Sequence, residues 1–161
     1  MQNAQQWLNS AFPTQEQRQK ITHLAITGSY DIWALLGVDE DEEEITDTWK
    51  KFVVSLEGKL DLNDFTSLQR LYLGGGRITE LKIDQCRKLN FLDVSCEWIT
   101  QLDISNNLEL TELKSHYESK PIKLLREKFQ AQEQVKTQAL TNKLELVKNK
   151  LHHWTQLIHH D

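Results

Sequence analysis

The chain has 161 residues, a formal net charge of −5 at pH 7, 39% hydrophobic residues and 27% charged residues. This length allows one compact domain or a short repeat array and excludes two ordinary cores, and the composition excludes a disordered segment. The negative charge argues against nucleic acid as a partner, because phosphate binding needs clustered Lys and Arg.

No stretch of the sequence predicts a membrane span or a disulfide framework. No apolar segment approaches the roughly 18 residues that cross a bilayer, and residues 1–7 lack the basic and apolar stretches of a secretory signal. Cys86 and Cys96 are the two cysteines, too few for the disulfides of a small secreted domain. We therefore expect a soluble, cytoplasmic protein with free thiols and no membrane partner.

Residues 1–20 predict an N-terminal helical cap. Trp7, Leu8 and Phe12 lie at near-helical spacing, and Thr14 with Gln17 gives a capping-box signature that begins a second short helix. A repeat array needs such a cap, because its first turn otherwise leaves an apolar face and an unpaired strand edge in water.

An acidic insertion at about residues 28–55 follows one isolated match to the repeat at residues 21–26. After the acidic run at 39–44 we expect a short amphipathic helix of about ten residues. Its apolar face would consist of Ile45, Trp49, Phe52 and Val53. A partner-binding loop stays open as an alternative, since long insertions in repeat proteins often project on a binding side.

Two more specific functions of the insertion are disfavoured. A calcium loop beginning at Asp39 needs a glycine where Glu44 lies and a bidentate carboxylate where Lys50 lies. The words YD at 30–31, LGV at 36–38 and WKKF at 49–52 resemble the opening of a J domain of the DnaJ co-chaperones, but no His-Pro-Asp follows.

A repeat with a period of about 21 residues organises the chain between about residues 56 and 117. Its leucine columns are Leu60, Leu81 and Leu102; Leu68, Leu89 and Leu110; and Leu71, Leu92 and Leu113. Within each unit the pattern Leu-x-x-Leu-x-Leu occurs twice, and it begins at Leu68, Ile78, Leu89 and Ile99. Each Leu-x-Leu predicts a short strand, and stacked strands predict a parallel sheet. We expect each pattern to form one flat solenoid turn of about 10–11 residues, which is too short to include a helix.

This pattern resembles the short nested leucine-rich repeats of about 21 residues, the internalin-like or IRREKO-type family. The family's LTELDISNN has its elements here as LDISNN at 102–107, followed by LTEL at 110–113. The resemblance implies an α/β fold with a leucine-rich-repeat solenoid over residues 21–117. The chain departs from the family at the asparagine ladder position, which holds Asn107 but also Phe65 and Cys86, so no regular ladder is expected at those two turns.

The residues beside the inward leucines predict a binding surface on an exposed face of the sheet. Tyr72 and Phe91, next to Arg70, are residue types that anchor interfaces. The complete set of partner-binding candidates is Arg70, Tyr72, Lys82, Phe91, Asp93, Gln101, Asp103 and Lys114. We therefore expect a non-catalytic interaction or scaffold module that binds a protein partner through this face.

Residues 118–161 predict a C-terminal helix, because neither proline nor glycine follows Pro121. A first apolar stripe, Ile122, Leu125 and Phe129, would cap the last turn of the repeat. A second stripe follows at spacings of four and three: Leu140, Leu144, Val147, Leu151, Trp154 and Ile158. It either folds back onto the repeat or pairs two chains as a homodimer. Pairing gives an alternative function, that of a structural oligomerisation protein.

No catalytic, metal or cofactor site is predicted. The histidines His152, His153, His159 and His160 form pairs seven positions apart, whereas chelation on a helix prefers a spacing of four. Cys86 is expected to be buried and Cys96 to be exposed in a turn, and neither has a base beside it. The glycines at 74–76 lack the Lys-Ser/Thr that completes a phosphate loop. We expect no enzymatic activity.

Overall fold

The computed structural model describes residues 1–28, 47–96, 98–115 and 120–159. These residues form an α/β structure with two parallel sheets and a long C-terminal helix. The chain divides into two compact units, Met1–Leu124 and Leu125–Asp161.

In chain order the elements are β1 (Gln2–Asn3), α1 (Ala4–Ala11), α2 (Gln15–Gln19), β2 (His23–Thr27), β3 (Trp49–Val53), β4 (Leu56–Asp61), β5 (Arg70–Gly74), β6 (Arg77–Lys82), β7 (Phe91–Ser95), β8 (Gln101–Leu102), β9 (Glu112–Lys114) and α3 (Lys120–Ile158). Sheet I has four strands in the order β1-β4-β6-β8, and sheet II has five strands in the order β3-β2-β5-β7-β9. From β4 onward the chain alternates between the two sheets.

Neighbouring strands pair at equivalent positions of successive repeats. Leu60 lies beside Leu81 in sheet I, and Leu71 lies beside Leu92 in sheet II. Two consecutive Leu-x-x-Leu-x-Leu patterns therefore belong to different sheets. The prediction that each pattern forms a complete solenoid turn was wrong, because each pattern supplies one strand and successive strands lie in different sheets. The prediction of one sheet was wrong for the same reason.

The leucine columns point into the unit Met1–Leu124 and are buried, except for Leu102, which is partly exposed. Along β4 and β6 buried and exposed residues largely alternate, as expected for a sheet with one face in water. Strand β7 is buried at every position, and β5 is buried except at its first residue. The outer face of sheet II is therefore largely buried at β5 and β7 but partly exposed at β3 and β9, whereas the outer face of sheet I is exposed.

The N-terminal helices α1 and α2 lie where the sequence predicted them. The capping box of α2 is complete, with the Gln17 backbone donating to Thr14 Oγ1 at 3.2 Å and the Thr14 backbone donating to Gln17 Oε1 at 3.2 Å. Phe12, which follows α1, contacts Phe52 and Phe65 edge-to-face at centroid distances of 5.7 and 5.3 Å. The helical segment thus covers the first strands with aromatic rings.

Residues 49–53 form strand β3 and not the predicted amphipathic helix. Strand β3 pairs with β2, so that Trp49 lies beside His23 and Phe52 beside Ile26. The helix prediction was wrong here because the exposed edge of β2 offers unpaired backbone groups, and Trp, Phe and Val favour a pleated surface. Ile45 and the acidic run at 39–44 lie outside the described residues.

The predicted C-terminal helix is present as α3, which has 39 residues. Ile122, in its first turn, is buried. The six residues of the second stripe are exposed by 52–68%. Among the described residues, no helix combines the length and the apolar character that a bilayer span requires.

Candidate binding surface

The outer face of sheet II brings five strands together at the predicted site. Parallel pairing aligns Trp49, His23, Arg70, Phe91 and Glu112 in a first row. It aligns Lys51, Ala25, Tyr72, Asp93 and Lys114 in a second row. Side chains of neighbouring strands in one row lie close enough to contact each other.

At the centre of these rows the side chain of Arg70 lies over two aromatic rings. Its guanidinium carbon is 4.1 Å from the centroid of the Phe91 ring. Its Nη2 donates to Tyr72 Oη at 3.0 Å, and its Nε is 3.3 Å from the same oxygen. The rings of Tyr72 and Phe91 are themselves 4.9 Å apart. Ala25 and Trp49 complete this group, which we name the Arg70 cluster.

The stacking explains why the two rings are buried although they lie on an outer face. Tyr72 is 9% exposed and Phe91 is 4% exposed, because Arg70 covers them from the solvent side. A cation over an aromatic face stabilises such a pair by roughly 0.5–2 kcal/mol. The guanidinium of Arg70 therefore lies on the solvent side of the two rings.

The guanidinium of Arg70 has unused hydrogen-bonding capacity. It carries five N–H donors, and both of its observed hydrogen bonds go to the single hydroxyl of Tyr72. Within the part of the chain that the structure describes, no carboxylate forms an ion pair with Arg70. Nearby, Glu112 is paired with Lys114 at 3.5 Å. An incoming anion therefore finds free donors at Arg70.

His23 and Lys114 lie near Arg70 on the outer face of sheet II, and the charge of Lys114 is balanced by its pairing with Glu112. Lys114 Nζ lies 5.6 Å from the centroid of Phe91. Burial, and then the charge of Arg70, lower the pKa of His23 from its ordinary value of 6.5, so this imidazole is neutral at pH 7. Partial burial strengthens the attraction between a guanidinium and an anion, because water screens the charges less.

The eight predicted binding residues do not share one face. Arg70, Tyr72, Phe91, Asp93 and Lys114 belong to sheet II, whereas Lys82, Gln101 and Asp103 belong to sheet I and the turn after it. The prediction of exposure was wrong for Tyr72 and Phe91, which Arg70 covers, and for Asp93, which is buried and accepts a hydrogen bond from Ser95 Oγ at 2.9 Å.

The three sheet I residues line an open polar groove of about 470 Å³. Its carboxylates already have partners in the chain. Asn63 Nδ2 donates to Asp84 at 3.0 Å, a bond that lowers the pKa of this carboxyl, and Glu80 pairs with Lys59 at 3.2 Å. Among the described residues no group of three or more His, Cys, Asp or Glu is arranged to hold a metal ion.

Sequence reasoning missed a second arginine–aromatic contact, on sheet I. The guanidinium carbon of Arg77 lies 5.4 Å from the centroid of the Trp98 ring, and Trp98 is 53% exposed. The two residues occupy equivalent positions of successive repeats, so the repeat offset itself contained the signal. This contact is looser than the stacking of Arg70 on Phe91.

Both cysteines are buried, so the prediction of an exposed Cys96 was wrong. Cys96 Sγ donates to the carbonyl oxygens of Leu73 and Gly75 at 3.6 and 3.5 Å. Burial raises the pKa of Cys86 and of Cys96 to about 12. Neither thiol ionises near neutral pH, so neither is a nucleophile there.

Comparison with protein-family models, with curated proteins and with solved structures gave no match for this chain.

Proposed function

We propose that the sheet-forming part of the chain is a leucine-rich-repeat solenoid. One circuit, the stretch of chain between equivalent positions of stacked repeats, has 21 residues, which is also the sequence separation of the hydrogen bond from the Thr111 hydroxyl to Asn90 O. The support is a hydrogen-bond pattern that recurs at this offset. The backbone N–H groups of Asn90 and Phe91 both approach Gln69 O at 2.8 and 3.2 Å, and those of Thr111 and Glu112 both approach Asn90 O at 2.9 and 3.2 Å. Identical contacts between successive circuits are what stacked repeats produce.

A ladder of buried polar side chains supports the same proposal. Asn107 Nδ2 donates to Ile83 O at 2.9 Å and to Cys86 O at 3.0 Å. One circuit earlier, Cys86 Sγ donates to Leu62 O at 3.3 Å. Cysteine thus performs part of the role of asparagine, and Phe65, at the first circuit, packs on Phe12 of the cap instead.

This solenoid functions as a recognition module that binds a protein partner through the outer face of sheet II. The observation that carries the proposal is the Arg70 guanidinium, which is fixed on Phe91 and has no carboxylate partner among the described residues. A planar guanidinium matches a carboxylate in a bidentate geometry. We therefore assign to Arg70 the binding of an Asp, Glu or C-terminal carboxylate of the partner.

The test uses variants that keep the shape of the surface. Arg70→Met keeps an apolar cover on the two rings but removes the charge and all donors, and Arg70→Lys keeps the charge without the planar fork. Arg77→Met is the matched control, because Arg77 also stacks on an aromatic ring but does so on sheet I.

A displayed library of random peptides, selected on the wild-type chain, provides a probe that does not require the partner to be known. We expect enrichment of peptides containing Asp or Glu, and Kd values at least about tenfold weaker for Arg70→Met than for wild type or Arg77→Met. Equal affinities for wild type and Arg70→Met, or selection of peptides without acidic residues, would show that Arg70 is not the recognition group.

The exposed second stripe of α3 favours a second function, the attachment of this chain to another helix. All six of its side chains are more than half exposed, and apolar residues at spacings of four and three form the seam of a coiled coil. In this function the helix unit, Leu125–Asp161, joins the chain to an assembly. The solenoid unit then supplies separate contacts.

A further inference from the structure

The stripe on α3 has the geometry of a coiled-coil seam of about two and a half heptads. With Leu144, Leu151 and Ile158 at the a positions, the d positions hold Leu140, Val147 and Trp154. Helix rise places the two ends of this seam roughly 27 Å apart. A seam this short and this exposed needs a partner that adds more than apolar contact.

The positions that flank the seam are basic or uncharged. The g positions hold Lys143, Lys150 and Leu157, and the e positions hold Thr141, Lys148 and Thr155. Residue Glu145 forms a loose ion pair with Lys148 at 4.0 Å, with both side chains more than 60% exposed. Among the described residues, no carboxylate forms an ion pair with Lys143 or Lys150.

These flanks disfavour a second copy of the chain as the occupant of the seam. In a parallel pair each g residue faces the e residue of the following heptad, so Lys143 of one copy meets Lys148 of the other. In an antiparallel pair Lys143 meets Lys150. In the parallel pair Trp154 also faces its own equivalent at a d position, where two indole rings overfill the layer. Homodimerisation therefore has like charges at its edges in both orientations.

The polar face of the helix favours a helix over a lipid surface as the partner. Helices that lie on membranes present a broad apolar face opposite a polar face rich in Lys and Arg. Here the exposed Leu146 and Leu157 widen the a/d seam, but the far face carries the uncharged residues Asn142, Asn149 and Gln156 at the f positions.

We infer that α3 pairs with an amphipathic helix of another protein, one with an apolar a/d seam and with Asp or Glu at its e and g positions. The acidic flanks of the partner complement Lys143, Lys148 and Lys150, and the like charges disfavour self-pairing. This inference rests on the second proposed function, helix attachment, and is independent of the Arg70 surface.

The test uses two designed helical peptides of about four heptads, both apolar at a and d. One has Glu and the other has Lys at every e and g position, so that neither pairs with itself. Titration calorimetry with the full chain gives the Kd of each peptide. We expect the Glu peptide to bind at least about tenfold more tightly than the Lys peptide, and we expect added salt to reduce this difference.

Charge reversal controls for folding. The triple variant Lys143→Glu, Lys148→Glu and Lys150→Glu is expected to prefer the Lys peptide, a gain that an unfolded chain cannot show. Leu151→Asp should lose binding of both peptides, whereas Asn149→Asp, on the far face, should retain it.

Four results would overturn the inference: equal affinity for the two peptides, no binding of either peptide, a dimer of the full chain in light scattering at micromolar concentration, or binding to vesicles of anionic phospholipid without peptide binding. The Arg70→Met variant should bind the Glu peptide as wild type does. A failure of this inference is therefore distinguishable from a failure of the Arg70 surface.

Discussion

Replacing Asn107 by alanine removes a buried amide that links two successive repeats. The variant loses two buried hydrogen bonds, to Ile83 O at 2.9 Å and to Cys86 O at 3.0 Å. Both acceptors keep a backbone donor, since Cys86 N binds Ile83 O at 3.0 Å and Leu89 N binds Cys86 O at 3.2 Å. Neither carbonyl is left unpaired, so each lost bond costs about 1 kcal/mol and not the full desolvation penalty.

Two smaller contributions to the free energy of unfolding have opposite signs. The small cavity left by Asn107→Ala destabilises the fold. Removal of Asn107 Oδ1, a buried oxygen that has no hydrogen-bond partner among the described residues, stabilises it by a comparable amount. The expected loss is therefore about 2 kcal/mol, which lowers the Tm by roughly 6 °C in a unit of this size.

Urea unfolding followed by circular dichroism measures this loss, with Asn106→Ala as the control. Asn106 is adjacent in sequence but exposed, so its substitution should change the free energy of unfolding by less than about 0.5 kcal/mol. Asn107→Asp should destabilise the fold more than Asn107→Ala does, because it places a buried acceptor against two carbonyl oxygens. Equal stability of the Asn107→Ala and Asn106→Ala variants would refute the ladder.

Two further predictions concern the backbone and the pH dependence. Gly76→Ala should lower the free energy of unfolding, measured in urea, by more than about 2 kcal/mol, because Gly76 has φ +67° and its added Cβ would lie 2.5 Å from Leu56 O. Gly58→Ala should lower it less, since Gly58 has φ +86° but its added Cβ would meet no atom nearer than 3.8 Å. Equal losses for the two variants would contradict the close approach to Leu56 O as the cause. Since burial and Arg70 lower the pKa of His23 below 6.5 in the folded state, the unfolded chain takes up the proton first, and stability should fall as the pH drops from about 7.5 to about 5. A His23→Gln variant that loses as much stability over this range would exclude His23 as the source.

The strands and helices with regular local patterns were predictable from the sequence. Leucines at alternating positions place strands β5, β6 and β7, and the absence of proline and glycine places α3. The assignment of strands to two sheets was not predictable in the same way, because alternation shows which residues point inward but not which sheet a strand joins. The structure shows the assignment, because Leu71 pairs with Leu92 of the next repeat and not with Leu81 of the next strand.

Strand β3 shows a different limit. Trp49, Phe52 and Val53 fall at helical spacing, and in so short a window this spacing does not separate a helix from a strand. Residues 49–53 form a strand because β2, which follows a helical cap, needs a partner for its free edge. Such tertiary demands override local pattern, and the sequence between the two strands gives no sign of them.

At the candidate site the sequence correctly predicted which residues lie close together, but not which of their side chains are exposed. The repeat offset places Arg70 beside Phe91, and alternation places Tyr72 on the same face. Whether the rings or the guanidinium face the solvent depends on side-chain rotamers, which a repeat pattern does not contain. The interface anchors predicted from residue type therefore became the support for Arg70.

The two sheets differ in the state of their charges, and this difference is why we propose sheet II, and not sheet I, for recognition. On sheet I the carboxylates of Glu80 and Asp84 are bound by Lys59 and Asn63 of the same chain, so a partner would first have to replace contacts that already exist. On sheet II the guanidinium of Arg70 is oriented without being neutralised, and it can bind a carboxylate without breaking an ion pair. Because consecutive Leu-x-Leu strands fall on opposite sheets, the two faces can also be altered separately.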